Sequence, residues 1–316
     1  MMNNICCRTL ADVLNALKDV LEIARRQSQG EEVTFFFRGV ERNYENPDST
    51  SPISPAFKPS LERKGLVKYE RDLYNDALRY NITNFAEDYT MQERLARMQH
   101  YGLPTRFADV TENILLATFF ACGGWNFFKE DNRYDGFVRI LQVAKHKLKS
   151  HTSDIITAIA HLPLTKENQI NLANDDLENA TGIDYLRYEI TNNKPGFNTQ
   201  VSKEIKQQLM NEVQQVWAFR PILNSPRIRM QSGAFLAFGC GDKKAPLNPT
   251  FSDADYTDKM KPSYGIKQVA AFRIEASYKA AIRKELEHCA IAFERIAPDL
   301  SSVCEMLQRN YSEYLE

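Results

Sequence analysis

Apolar residues recur at helical spacing from the start of the chain: Leu10, Val13, Leu14, Leu17, Val20, Leu21 and Ile23 mark one face of an amphipathic helix over 9–26. Residues 27–32 break that pattern, and the β-rich run Val33-Thr34-Phe35-Phe36-Phe37 follows. Residues 43–59 are rich in Pro, Ser and Asn and predict a loop, while 69–99 carries Tyr74, Leu78, Phe85, Leu95 and Met98 at helical intervals. Residues 105–110 then predict a short buried strand. Residues 114–122 are apolar nearly all round, as in a helix enclosed by its own domain.

Further on, 136–143 predicts a strand. Residues 144–200 have weaker periodicity and many Asn, Asp and Lys residues, a variable insertion by pattern, and the basic run 145–151 within them predicts a solvated face. A surface helix is expected over 201–215, a strand-like run interrupted by Pro221 over 217–223, and a turn leading into a core strand that ends at Phe238. A loop over 239–262, an edge strand over 270–274 and helices over 279–288 and 299–314 complete the chain. The pattern predicts an α+β fold in which a small mixed sheet is covered by helices. The segment 1–32 is expected to be a helix packed on a domain formed by 33–316.

Composition narrows the functional classes. The 316 residues carry a net charge of -1, so no global basic field marks a nucleic-acid binder and any polyanion site must be local. Six cysteines show no C-x-x-C pair and predict reduced thiols. No apolar run reaches membrane-spanning length, which predicts a cytoplasmic protein without membrane partners. The five histidines are scattered without ligand spacing, so no metal is expected, and neither a P-loop nor G-x-G-x-x-G is present.

Candidate chemistry concentrates in the stretch from Met98 to Cys122. Gln99, His100, Tyr101 and Gly102 precede a strand carrying Thr105, Arg106, Asp109 and Thr111, with Asn113 at the start of the following helix. Arg38, followed by Gly39, places a permanent cation and its five donors at the end of the first buried strand. A structural arginine paired with a buried carboxylate is the alternative for Arg38. His100 beside Tyr101 and Arg106 could also serve as the base of a metal-independent ribonuclease.

Taken together, these residues resemble the FRG-domain family. The F-R-G tripeptide is Phe37-Arg38-Gly39, and the family's Q-H-Y-G-L-P-T-R-x-x-D-x-T-x-N segment runs over 99–113, with Phe107 where Leu is usual. Pro59-Ser60-Leu61-Glu62-Arg63, Gln231-Ser232-Gly233-Ala234-Phe235 and the segment 298–304 fit the same family. The order of elements is also similar to the ADP-ribosyltransferases. There an Arg or His on the first core strand, a second strand leading into an A-x-x-F-A-like helix, and a third strand with a catalytic Glu hold NAD.

That resemblance implies an ADP-ribosyltransferase-like core with Arg38, Gln231, Arg106 and Asp109 as the catalytic set. Arg38, Gly39, Gln99, His100, Tyr101, Thr105, Arg106, Thr111 and Asn113 would hold NAD, and Tyr101 or Phe107 would receive the nicotinamide ring. The superfamily's glutamate is missing. Gln231 could replace it, a carboxylate from Glu41, Glu112 or Asp109 could fill the gap, or the site could bind without turnover. The implied protein is a toxin that modifies a nucleic acid, RNA included, or a protein, in phage defence, with an antitoxin or chaperone as possible partner. A metal-independent ribonuclease toxin and a non-catalytic ligand-binding module are the alternatives.

Overall fold

In the computed structural model, β1 (Asn4–Cys7) turns into α1 (Leu10–Gln27) at Thr9. The Thr9 hydroxyl accepts from the Asp12 amide at 3.1 Å, and the Asp12 carboxylate accepts from the Thr9 amide at 2.9 Å. Such a reciprocal cap contributes about 1 kcal/mol. The chain continues through β2 (Val33–Val40), α2 (Ser60–Arg63), α3 (Glu70–Asn81), α4 (Met91–His100), β3 (Phe107–Thr111) and α5 (Ile114–Ala121). Then come β4 (Gly136–Ala144), β5 (Leu148–Ser150), α6 (Asp154–His161), β6 (Val216–Arg220), α7 (Pro226–Met230) and β7 (Gly233–Phe238). Last are α8 (Asp253–Thr257), β8 (Ile266–Ile274), α9 (Lys279–His288), α10 (Phe293–Ile296) and α11 (Leu300–Ser312). The structure describes residues 4–42, 57–124, 133–164, 211–241, 246–247, 249 and 251–312.

The strands form one eight-stranded sheet in the order β1-β8-β4-β2-β3-β7-β6-β5. The outermost pairs, β1 with β8 and β5 with β6, are parallel, and the others are antiparallel. Side chains alternate between faces as the strand period requires. Along β7, Ala234, Leu236 and Phe238 join one core with Phe36, Val110 and Leu141, while Phe235 and Ala237 join another with Phe107, Trp217 and the buried side of α6. A third core gathers Phe37, Val138 and Phe272 under α1, α5 and α9.

The middle of the sheet is where the site is made. β2 pairs with β4 along its whole length and β3 with β7 along its whole length, yet β2 and β3 share a single register pair, Phe37 with Thr111. The two halves of the sheet therefore meet at a seam. On the β2 side, α5 lies directly on the backbone. A Cβ on Gly39 would stand 1.8 Å from the Ala117 carbonyl oxygen, so this close approach admits only glycine.

The α+β class is as expected, but several elements differ from the pattern. The sheet is larger than the small one expected, because short strands such as Asn4–Cys7 and Leu148–Ser150 give too few residues for a periodic signal. β1 pairs outside β8, so the expected edge strand is an interior one, and 1–32 supplies a strand as well as a helix. The helix expected over 69–99 is two helices, α3 and α4, separated by a 3-10 turn at Ile82–Phe85.

The first part of the expected variable insertion belongs to the core: Ile155, Ile156 and Ile159 of α6 are buried. Residues 165–200 lie outside the described residues, as do 43–56 of the expected loop and 201–210 of the expected surface helix. The turn expected before β7 contains the short helix α7, started by Pro226 at its first turn.

The basic run is also not uniformly solvated. Lys147 is fully buried, with its ammonium 3.8 Å from the Trp217 ring centroid, donating to Gln215 Oε1 and, at 3.4 Å, to the Val216 carbonyl. Burial first, then the neighbouring Lys149 charge, push its pKa down to about 7, against a smaller opposing pull from Glu212. No helix among the described residues is long and apolar enough to cross a membrane.

Candidate functional site

A cavity of about 540 Å³ opens at the seam, within the roughly 300–1,000 Å³ typical of small-ligand sites. Its floor is made by residues 37–41 of β2 and its continuation and by Asp109, Val110 and Thr111 of β3. Gly233 and Ala234 of β7 and Gln231 line it from the third motif, and Gln99 to Gly102 from the end of α4. Arg63, Arg227 and the hydroxyl residues Ser301 and Ser302 complete the wall.

The end of α4 is shaped by its sequence. Gly102 has φ +85°, the Gly102 amide donates to the Gln99 carbonyl at 3.0 Å, and the Leu103 amide reaches back to the Met98 carbonyl at 2.9 Å. This is a Schellman closure, with Leu103 packed against the core. It ends the helix so that Gln99 and His100 face the seam while Tyr101 stays 60% exposed at the cavity edge.

Gln99 is the hub of the polar network. Its Oε1 accepts from Thr105 Oγ1 at 2.9 Å, from Ser60 Oγ at 3.2 Å and from the Thr105 amide at 3.3 Å. Its Nε2 donates to Asp109 Oδ2 at 2.8 Å. Arg38 Nη1 donates to the Asp109 carbonyl, crossing the seam. Asp109 is thus held through its side chain by α4 and through its backbone by β2.

His100 packs edge-on against Phe235 at 5.5 Å, and its shielded Nε2 has no hydrogen-bond partner among the described residues. Burial lowers its pKa, with the Asp109 charge pulling upward and Arg227 pushing downward, so the imidazole is neutral at pH 7. Arg227 packs 5.7 Å from the Tyr101 ring centroid and lies 3.7 Å from Asp299. Its pKa is lowered by burial, with Asp299 opposing, but a guanidinium is basic enough to keep its charge.

Burial would raise the Asp299 carboxyl, but hydrogen bonds from Ser302 and Ser301 and the Arg227 charge outweigh it and hold the group below its usual range. The same carboxylate caps α11 through the Ser302 amide at 2.9 Å.

The residues singled out from the sequence divide into two groups. Arg38, Gly39, Gln99, His100, Tyr101, Asp109, Thr111 and Gln231 line one cavity although they come from four separate segments. Arg106, Thr105 and Asn113 do not line it. Arg106 is fully buried behind β3, where Nε donates to Glu70 Oε1 at 2.8 Å, Nη2 to Glu70 Oε2, and Nη1 to the Phe238 carbonyl. It is a structural ion pair, which a strand-end arginine resembles in sequence because burial is not written locally.

Thr105 serves Gln99. The Asn113 side chain caps α5 by accepting from the Leu115 amide at 2.9 Å. The Thr111 hydroxyl donates to the Gln231 carbonyl at 2.8 Å, tying β3 to the turn before β7. Phe107, a candidate ring platform, is buried between Phe219 and Phe235.

Among the candidate carboxylates, Glu112 is outside the cavity in a bidentate pair with Arg220, at 2.6 and 3.0 Å, whereas Asp109 and Glu41 line it. Gln231, expected to open a strand, instead caps the end of α7. Arg63, Ser301 and Ser302 carry no expected site role in the sequence. Each lies in or beside a secondary motif segment, and that position was the available signal.

Among comparisons with known proteins, the family model of the FRG domain matches residues 34–130. No curated protein and no solved structure matches the chain.

Proposed function

The chain carries an FRG domain, and from that premise we propose that its seam cavity binds NAD and that the protein is an ADP-ribosyltransferase-like enzyme acting on a nucleic acid or protein acceptor. One observation carries this reading: Asp109 and three arginines, Arg38, Arg63 and Arg227, line the same cavity. Guanidinium groups match the oxygens of a pyrophosphate in charge and geometry. A fixed carboxylate beside them suits a sugar carbon that becomes cationic as its leaving group departs.

In the proposed reaction the bond between ribose C1′ and the nicotinamide nitrogen breaks, and its electron pair leaves with the nicotinamide. An acceptor oxygen or nitrogen then bonds to C1′ and releases its proton to solvent. Asp109 outranks Gln231 as the stabilising group, because a full negative charge interacts with a cation more strongly than an amide dipole does. Tyr101, exposed at the edge, is the available stacking surface. A ribonuclease built on His100, Tyr101 and Arg106 is less well supported, since Arg106 is enclosed with Glu70.

The test is nicotinamide release from labelled NAD by the purified chain, beside a calorimetric titration of NAD. Asp109→Asn is expected to cut turnover by about two to three orders of magnitude with little loss of affinity. Gln231→Ala is expected to stay within roughly tenfold of the parent, less than one preorganised electrostatic group contributes. NAD binding without release would make the site a binding module, and no binding at all would refute the proposal.

A further inference from the structure

We propose that Gln99 is the positioning residue for Asp109: a side chain that touches no reacting atom and instead fixes which way the carboxylate faces in the cavity. The inference rests on the NAD-transfer reading above for its function, but its geometry stands alone. An amide side chain can be turned end for end, and usually neither arrangement is excluded.

Here one arrangement is excluded. The Thr105 backbone amide is an obligate donor 3.3 Å from the end of Gln99 assigned as Oε1, and the hydroxyls of Thr105 and Ser60 reach the same atom at 2.9 and 3.2 Å. Turning the amide would set its NH2 against the Thr105 N–H and its oxygen against the Asp109 carboxylate, two repulsive contacts in a part-buried site. The NH2 must therefore point at Asp109 Oδ2, where it lies at 2.8 Å.

With Oδ2 engaged, Oδ1 has no partner among the described residues and is the oxygen presented to a ligand. Thr105 and Ser60 thus act on the carboxylate through Gln99, which explains why residues outside the cavity accompany it in the motif segments.

Two variants separate this role from a general structural one. Gln99→Leu removes the donor and the acceptor together; it should lower kcat by about 10–100-fold while the Kd for NAD changes less than threefold. Gln99→Glu keeps an oxygen acceptor for Ser60 and Thr105 but sets a second carboxylate beside Asp109. Two such groups share a proton, so the acid limb of the pH–rate profile should move up by more than one pH unit.

A readout independent of turnover is carbon-detected NMR of aspartate-labelled protein, with the Asp109 carboxyl signal assigned by its loss in Asp109→Asn. In Gln99→Glu that signal should titrate at higher pH than in the parent. An unchanged titration would overturn the role of Gln99, whatever the substrate. A shifted titration in a protein that releases no nicotinamide would support the positioning role and refute the NAD-transfer reading alone.

Discussion

Replacing Lys147 with methionine should change how stability depends on pH, by an amount that follows from its surroundings. The ammonium is fully buried over Trp217, and its folded pKa falls from the usual 10.5 to about 7 because burial disfavours the charge. Below pH 7 the lysine is charged in both the folded and the unfolded chain, and the folded state bears the full cost of enclosing it. Each tenfold change in proton affinity is worth roughly 1.4 kcal/mol, so that cost is about 5 kcal/mol. Between pH 7 and 10.5 the unfolded chain binds more protons than the folded one, and stability rises with pH. From pH 6 to pH 9 the gain is about 2.5 kcal/mol on the same relation.

Lys147→Met abolishes this dependence but leaves Gln215 Oε1 and the Val216 carbonyl without a donor, at about 1–3 kcal/mol each. The sign at one pH therefore decides little, and the slope decides. Urea unfolding of both proteins, followed by circular dichroism at pH 6, 7, 8 and 9, gives the comparison, because every other titrating group is common to the two. The parent should gain about 2.5 kcal/mol on the variant over that range. Parallel curves would show that the lysine keeps its charge in the fold, as it would if it reached water, and would refute the account.

Two further outcomes concern stability. Arg106→Ala should cost roughly 3–5 kcal/mol by leaving Glu70 enclosed without its partner, whereas Arg106→Met with Glu70→Leu should recover much of it; equal thermal melts for the parent and Arg106→Ala would refute the structural role of the pair. Gly39→Ala should prevent folding or lower the melting temperature sharply, since its methyl would overlap the Ala117 carbonyl oxygen. A soluble Gly39→Ala with the parent's melting temperature would mean that α5 does not press on β2.

Much of the site was legible because its chemistry is concentrated in short segments. The run from Gln99 to Thr111 contains the hub, the carboxylate and the helix-ending glycine, and the tripeptide at Phe37 contains the arginine that reaches Asp109. What could not be read was the sharing of tasks inside those segments. Arg106 and Arg38 look alike in sequence, each beside an apolar run, and only the fold puts Glu70 against one and a cavity beside the other.

Asn113 and Thr111 are ordinary capping and tying residues whose hydrogen bonds happen to lie next to the cavity. In the fold, the periodic helices α1, α9 and α11 were visible, while β1 and β5 are too short to show a period of two. Lys147 defeated a charge-run reading because Lys145 and His146 before it are exposed and it is not.

The single register pair between β2 and β3 has a thermodynamic consequence. Among the described residues, the two half-sheets are joined across their centre by that pair, by the hydrogen bond from Arg38 to the Asp109 carbonyl, and by the core in which Phe36 and Leu141 meet Val110 and Leu236. A molecule in the cavity touches both strands, so its binding energy becomes coupling between the halves. At a hundred times its Kd it would add about 2.7 kcal/mol to the folded state. Amide hydrogen exchange should then show two protection levels without ligand, one for each half-sheet, merging into one when the cavity is filled. Cooperativity of the whole chain would then rise with what occupies its middle.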